Sequence, residues 1–487
     1  MALVEITDEQ QAKLGDVPKL EKIEEHKYRM PPELYEAEKL RVEHQPDEAM
    51  RICIKFMSEN LDHAPAMVLA ANIMVEAERY GLAHPLLLRA SQIDPKEAII
   101  WNNLAFLYTE MGHFEEAEKA AQKALHNNPR YALGWNSLAN VYVHLSKPVE
   151  AVRCADKAIE LDPKIPEAQF NRSLAKLMLG DFQEGWEGYD HNLGRHRARR
   201  ERIYGIIPRW TGANDLKIAA YGEQGIGDQI AFSSCIQDLK EKNEVIIECE
   251  PKLAGLFGRS FDVPVYGTLN QKGISWPLLE RPDASVAMGS LPGFYRNSRE
   301  SFSGKSFLIA DPERRYQWRA LLDKMGPKLK VGIAWTGGIK RTGAIWRSLA
   351  LNDLEPILRQ DATFVCLQYK DASAEIDKLY REKGLTVHQW RHATLTPDYD
   401  DTAALIAELD LVITVTTAVV DLAGGLGKKC WVMVPKAPHW RYLVDGGTTI
   451  PWYSSVTLYR QYRDDWVNTV AEIATDLRAL CSRSSPS

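Results

Sequence analysis

Hydrophobic and polar positions follow two different rhythms along the chain. From about residue 33 to residue 192, apolar residues recur at helical spacing; Trp101, Leu104 and Tyr108 stand at i, i+3 and i+7 and make one stripe. From Leu216 onward the rhythm becomes short apolar runs bounded by Gly, Pro and Asp, with helix-like segments between them. Such runs suit buried parallel strands. The pattern predicts strands over Lys217–Tyr221, Glu244–Cys249, Val263–Tyr266 and Ala284–Met288. A second series begins at Lys330-Val331-Gly332-Ile333-Ala334 and continues at Thr363–Gln368, Leu385–Trp390, Leu411–Val415 and Lys429–Val434, before a last helix near 465–482. The expected order is a polar lead-in (1–32), a helical array (33–192), a linker (193–215), a first wound α/β lobe (216–328), a second (329–464), and a helix with a tail (465–487).

Within the array a period of 34 appears: Pro95, Pro129 and Pro163, and likewise Ala90, Ala124 and Ala158. Trp101, Asn102, Leu104, Ala105 and Tyr108 recur as Trp135, Asn136, Leu138, Ala139 and Tyr142, and Ala117 recurs as Ala151. These residues resemble the tetratricopeptide repeat, a helix–turn–helix unit of this period. Small residues at 105 and 117 let paired helices approach, and Pro129 cannot continue a helix. Three full units fall at 64–97, 98–131 and 132–165, with degenerate ones at 33–63 and 166–192. The last keeps Gly180-Asp181-Phe182 and adds Trp186 and Tyr189, as a capping repeat facing another domain does. Stacked repeats present a concave face that binds peptides or proteins; the alternatives are packing on the second half of the chain or dimerisation.

Charge and cysteines narrow the classes. A net charge of −6 on 487 residues gives no global case for nucleic acid or an anionic membrane. Five arginines between Arg195 and Arg202 form either a nucleic-acid patch or, in an acidic chain, a solvated face or interdomain clamp. Seven scattered cysteines without a C-x-x-C pair suggest neither a zinc site nor a disulfide framework and fit a reducing cytoplasm. The N-terminus lacks the basic-then-apolar order of a secretory signal, and no apolar run approaches about 18 residues, so no membrane span is expected.

The candidate chemistry centres on Gly222-Glu223-Gln224-Gly225-Ile226-Gly227-Asp228. A strand, a glycine turn and a helix start make a ligand-binding corner of an α/β sheet. Its G-x-x-G-x-G spacing is neither the dinucleotide fingerprint nor a Walker loop, and Asp228 reads either as a reactive carboxylate or as a helix cap. Four stretches carry a wider resemblance: GEQGIGDQIAF, VGIAWTGG followed by RSL, DDTAALIAELDLVITV, and TAVVDLAGGLGKKCWVMVPKAPHWRY. Together they resemble bacterial proteins in which tetratricopeptide repeats precede a glycosyltransferase-B domain of two Rossmann-like lobes, similar to lipopolysaccharide heptosyltransferases. More distantly the layout resembles protein O-GlcNAc transferase and flagellin glycosyltransferases.

The resemblance implies an inverting, metal-independent transfer of a sugar from a nucleotide-sugar donor, with no further cofactor, to a protein acceptor recruited by the repeats. It puts the donor phosphates at Thr414-Val415-Thr416-Thr417-Ala418, where a strand ends and a helix begins; Thr416 or Thr417 reads alternatively as an N-cap. Where heptosyltransferase-like proteins have Asp-Thr followed four residues later by His, this chain has Thr416-Thr417 and then Asp421. That carboxylate faces a ribose hydroxyl or a cation, or marks an altered donor site. Further donor-binding candidates are Gly225 and Gly227 of the first turn, and Thr336, Gly337, Lys340, Arg341 and Arg347 of the second-lobe glycine turn. Gln368 is placed to meet the nucleobase, Asp400 the ribose, and Arg441 the phosphates; Asp401 reads as a cap. Asp398-Tyr399-Asp400 only mimics a metal-binding D-x-D. Asp228 is the candidate base for the acceptor hydroxyl, with Glu223 in reserve. The alternatives are a lipopolysaccharide or glycan transferase, and a repeat scaffold whose transferase half is degenerate.

Overall fold

A computed structural model of the chain describes residues 31–195, 199–271, 273–338, 346–462 and 465–484. Ten helices open the described chain: α1 (Pro32–Val42), α2 (Pro46–Glu59), α3 (Ala64–Glu76), α4 (Tyr80–Ile93), α5 (Ala98–Met111), α6 (Phe114–Asn127), α7 (Ala132–His144), α8 (Pro148–Leu161), α9 (Pro166–Met178) and α10 (Phe182–Glu187). The period reappears as repeated bonds. The Trp101 indole donates to the Pro95 carbonyl at 2.8 Å, and 34 residues later Trp135 donates to Pro129 at 2.9 Å. Each proline thus ends one repeat and anchors the next. Ala105 and Ala117 are fully buried between paired helices, as close helix approach requires.

The chain divides into two compact units: the helices up to residue 141 with residues 157–163, and residues 142–156 with everything from 164 onward. The second unit holds two parallel sheets. The first comprises β1 (Lys217–Tyr221), β2 (Glu244–Glu248), β3 (Val265–Tyr266) and β4 (Ala284–Ala287), in the order β3-β2-β1-β4. The second comprises β5 (Leu329–Ala334), β6 (Ala362–Cys366), β7 (Val387–His388), β8 (Leu411–Val415), β9 (Cys430–Val434) and β10 (Val456–Arg460), in the order β10-β9-β8-β5-β6-β7. Each sheet starts in the middle, winds one way for two strands, then crosses to the other side of its first strand. That is the doubly wound order, and it opens a crevice at the carboxyl ends of the strands flanking the crossover. Several strands are shorter than their apolar runs; Leu385–Trp390 yields only a two-residue β7. The strand β10 was hidden, because Val456-Thr457-Leu458-Tyr459-Arg460 lacks a continuous apolar run.

The last helix pair belongs to the unit that holds the sheets. The Val444 amide donates to the Met178 carbonyl at 3.1 Å, and the Trp186 indole to the Arg296 carbonyl at 2.8 Å. Phe182 packs on Phe302 and Trp186 on Trp440, with ring centroids 4.8 and 5.5 Å apart. The arginines that follow form a clamp. Arg199 is buried; it donates to Tyr189 O, Asp190 Oδ1, Ser290 Oγ and Glu223 Oε1, and lies over the Tyr189 ring. Arg202 donates to both oxygens of the buried Glu248. Among the described residues no helix is long and apolar enough to cross a membrane.

Candidate functional site

At the second sheet's crossover, β5 and β8 lie side by side and end at Trp335-Thr336-Gly337 and Thr416-Thr417. Thr417 is the N-cap of α12 (Ala418–Gly425), its hydroxyl accepting from the Val419 amide at 3.2 Å. Thr414 lies beneath it, with the two hydroxyls 3.5 Å apart. The buried Thr416 turns its carbonyl to Arg347, whose Nη1 donates at 3.2 Å. Gly337 lies against the Thr417 methyl and donates its amide to Ser348 Oγ at 3.1 Å. Gln368, just past β6, gives Nε2 to Thr336 Oγ1 at 2.7 Å; its Oε1 is buried without a hydrogen-bond partner among the described residues. Thr336, Gly337, Arg347, Gln368, Thr414, Thr416 and Thr417 therefore lie together at the crossover crevice, at the carboxyl ends of β5, β6 and β8.

The first-lobe corner meets this crevice directly. Helix α11 (Ile226–Ser233) begins after Gly225, which is its N-cap; Asp228 sits in the first turn and is not the cap. A Cβ at Gly227 would stand 2.6 Å from Asp421 Oδ2 and 3.2 Å from Ala418 Cα, so α11 and α12 can meet this closely only through a residue without a side chain. Beside that contact Arg441 bridges the lobes. Its Nη1 donates to Asp228 Oδ1 and its Nη2 to Asp421 Oδ2 at 3.3 Å, while the Tyr453 hydroxyl donates to Asp421 Oδ1 at 3.1 Å. Tyr453 is not singled out by the sequence; in the structure its ring packs on Gly424, where a Cβ would lie 2.3 Å from it.

The two carboxyls titrate apart. Burial and the neighbouring Asp228 push Asp421 up to about 6, against the pull of Arg441 and Tyr453. Burial acts most strongly on Asp228, but Arg441, His439 and a backbone hydrogen bond at Gly225 together outweigh it and hold that carboxyl below the usual range. Arg441 stays charged: burial opposes it, and the two carboxylates more than compensate. With both carboxylates ionised the trio carries one net negative charge beside a helix N-terminus.

Other predicted residues lie elsewhere. Glu223 is buried, and its Oε1 is taken by Arg199, the Gly289 amide and Gln224 Nε2 at 3.0 Å, so this carboxylate serves as an anchor of the arginine clamp and is not open to an acceptor as the reserve base. Asp400 pairs with Arg259 of the first lobe, and a Cβ at Gly255 would touch it at 2.6 Å; it ties lobe to lobe and is not open to a ribose. Asp401 is not a cap either: Tyr399 precedes the helix Asp400–Glu408, and Asp401 takes bonds from Arg314 and the Trp318 indole. Arg314 also holds Asp398, which accounts for the D-x-D string. Lys340 and Arg341 fall outside the described residues, as does the lead-in up to residue 30.

Comparison with known proteins adds the following. Tetratricopeptide-repeat family models match residues 74–141 and 132–165. Protein FlbA of Caulobacter vibrioides (strain ATCC 19089 / CIP 103742 / CB 15) is 31% identical over 440 residues, which span 83% of this chain and 71% of FlbA. Among solved structures, a thermophilic TPR protein of Thermus thermophilus is 20% identical, covering 32% of this chain and 86% of its own, with a TM-score of 0.30. PilF of Pseudomonas aeruginosa is 17% identical, covering 33% and 72%, also with a TM-score of 0.30.

Proposed function

The chain belongs to the FlbA family, and we propose that its two-lobed half is a glycosyltransferase that moves a sugar from a nucleotide-sugar to a protein held by the repeats. One observation carries this reading: the glycine turn of one doubly wound sheet meets the Thr417-capped helix of the other at the carboxyl ends of both, around a buried arginine. Such crevices take nucleotides, and helix N-termini take phosphates. In this reading Gln368 and Thr336 meet the base, and Thr416, Thr417, Arg347 and Arg441 meet the diphosphate. The acceptor oxygen attacks the anomeric carbon, its proton passes to Asp228, and the sugar–phosphate bond breaks with its electron pair leaving on the diphosphate. The repeats support a protein acceptor, since proteins are what such arrays bind.

A second reading has its own observation. The carboxylates of Asp228 and Asp421 already neutralise Arg441, as they would in a scaffold whose donor site has closed for good. Thermal melting of the full chain with UDP, GDP, ADP and CMP separates the two. A ligand at one hundred times its Kd stabilises by about 2.7 kcal/mol, so one nucleotide is expected to raise Tm by several degrees in the wild type but not in Thr417→Val. If none raises Tm at millimolar concentration, the scaffold reading replaces the enzyme.

A further inference from the structure

Arg441 is the meeting point of opposite charges from both lobes. Asp228 reaches it from the first turn of α11, and Asp421 from the first turn of α12. Its side chain is only 10% exposed, so neither bond is a loose surface pair. Around the trio stand Tyr453 on Asp421, and Tyr442, His439 and Arg347, which act on it through their charges or dipoles. Asp421 places a carboxylate one turn into α12, near where a helix N-terminus favours an anion. The pair of acids thus occupies, electrostatically, the place of a ligand phosphate.

We propose that Arg441 is a latch exchanged between partners: with the site empty it binds Asp228 and ties the lobes together, and a diphosphate enters by taking Arg441 away from Asp228. The inference rests on the nucleotide reading above and deepens it, since it says how the site is regulated. Two consequences follow from charge alone. Diphosphate affinity is lowered by the fraction of molecules whose latch is closed. Asp228, released from the guanidinium, becomes a stronger base only when the donor is present, so proton removal from the acceptor waits for the sugar to arrive.

Calorimetric titration of the full chain with UDP, GDP, ADP and inorganic pyrophosphate tests this in wild type, Asp228→Asn, Asp421→Asn and Arg441→Lys. Either Asp→Asn change keeps the shape and removes one competing carboxylate, and whichever variant folds reads the latch. The expected result is about tenfold tighter diphosphate binding in Asp228→Asn and in Asp421→Asn, and at least about tenfold weaker binding in Arg441→Lys, which loses the fork of donors. A nucleoside diphosphate bound equally by wild type and Asp228→Asn overturns the latch and leaves the nucleotide reading standing. Pyrophosphate bound more tightly by the Asn variants, with no gain from any nucleoside, keeps the latch and overturns the nucleotide reading. Binding of neither probe to any variant overturns both.

Discussion

Asp421 concentrates the electrostatics of the site in one side chain. Its folded-state carboxyl is raised to about 6, and an unfolded aspartate titrates near about 3.9. A raised acid favours folding most in its protonated form. Its contribution is therefore complete below about pH 4 and is lost as pH rises through about 6. Across that window the wild type should lose about 3 kcal/mol relative to Asp421→Asn, read as diverging urea midpoints between pH 4 and 7.5; parallel midpoints would show that Asp421 does not titrate there. The sequence exposed half of this. A carboxylate four residues past Thr417 is visibly awkward beside an expected phosphate site. Its partners are not visible, because Arg441 and Tyr453 arrive 20 and 32 residues later by chain folding alone. Glu223 misled for the same reason: Arg199, 24 residues earlier, had already claimed it.

At the level of elements, α11 and α12 depend on Gly227. Alanine normally favours a helix over glycine by about 1 kcal/mol. Here the added methyl would press on Asp421 Oδ2 and on the Ala418 backbone, and overpacking costs about 1–3 kcal/mol. Gly227→Ala should therefore destabilise by about 1 kcal/mol net, while Gly225→Ala, whose Cβ would meet only Asp228 Oδ2 at an ordinary 3.5 Å, should be near neutral. Equal melting temperatures for the two variants would refute the close contact. The glycine turn itself was legible as a sharp corner near a ligand; that one of its glycines serves a neighbouring helix was not, since that helix begins far along the chain, at Ala418. Apart from β10, strand positions were legible from apolar runs. Strand ends were not, because Gln368 and Trp390 leave the ladders to take side-chain contacts.

For the molecule as a whole, the repeat signature and the two wound lobes were written in periodicity, but the seam between compact units was not. Trp186, Phe182 and Met178 look like repeat residues and are buried with the sheets' core. A chain starting at residue 142, which keeps the whole second unit, should therefore fold cooperatively, while one starting at residue 195 should expose that core and bind a hydrophobic dye or aggregate. Size-exclusion chromatography and near-ultraviolet circular dichroism of the two chains check this, and indistinguishable behaviour would count against it.

Trp440 lies beside the latch, with the Arg441 guanidinium carbon 6.0 Å from its ring centroid and the indole of Trp186 packed edge-on against it. An indole held that rigidly next to a charge is an optical dipole in a fixed field. Any event that draws Arg441 aside changes that field, so the molecule carries a native chromophore that reports the state of its own site without a label.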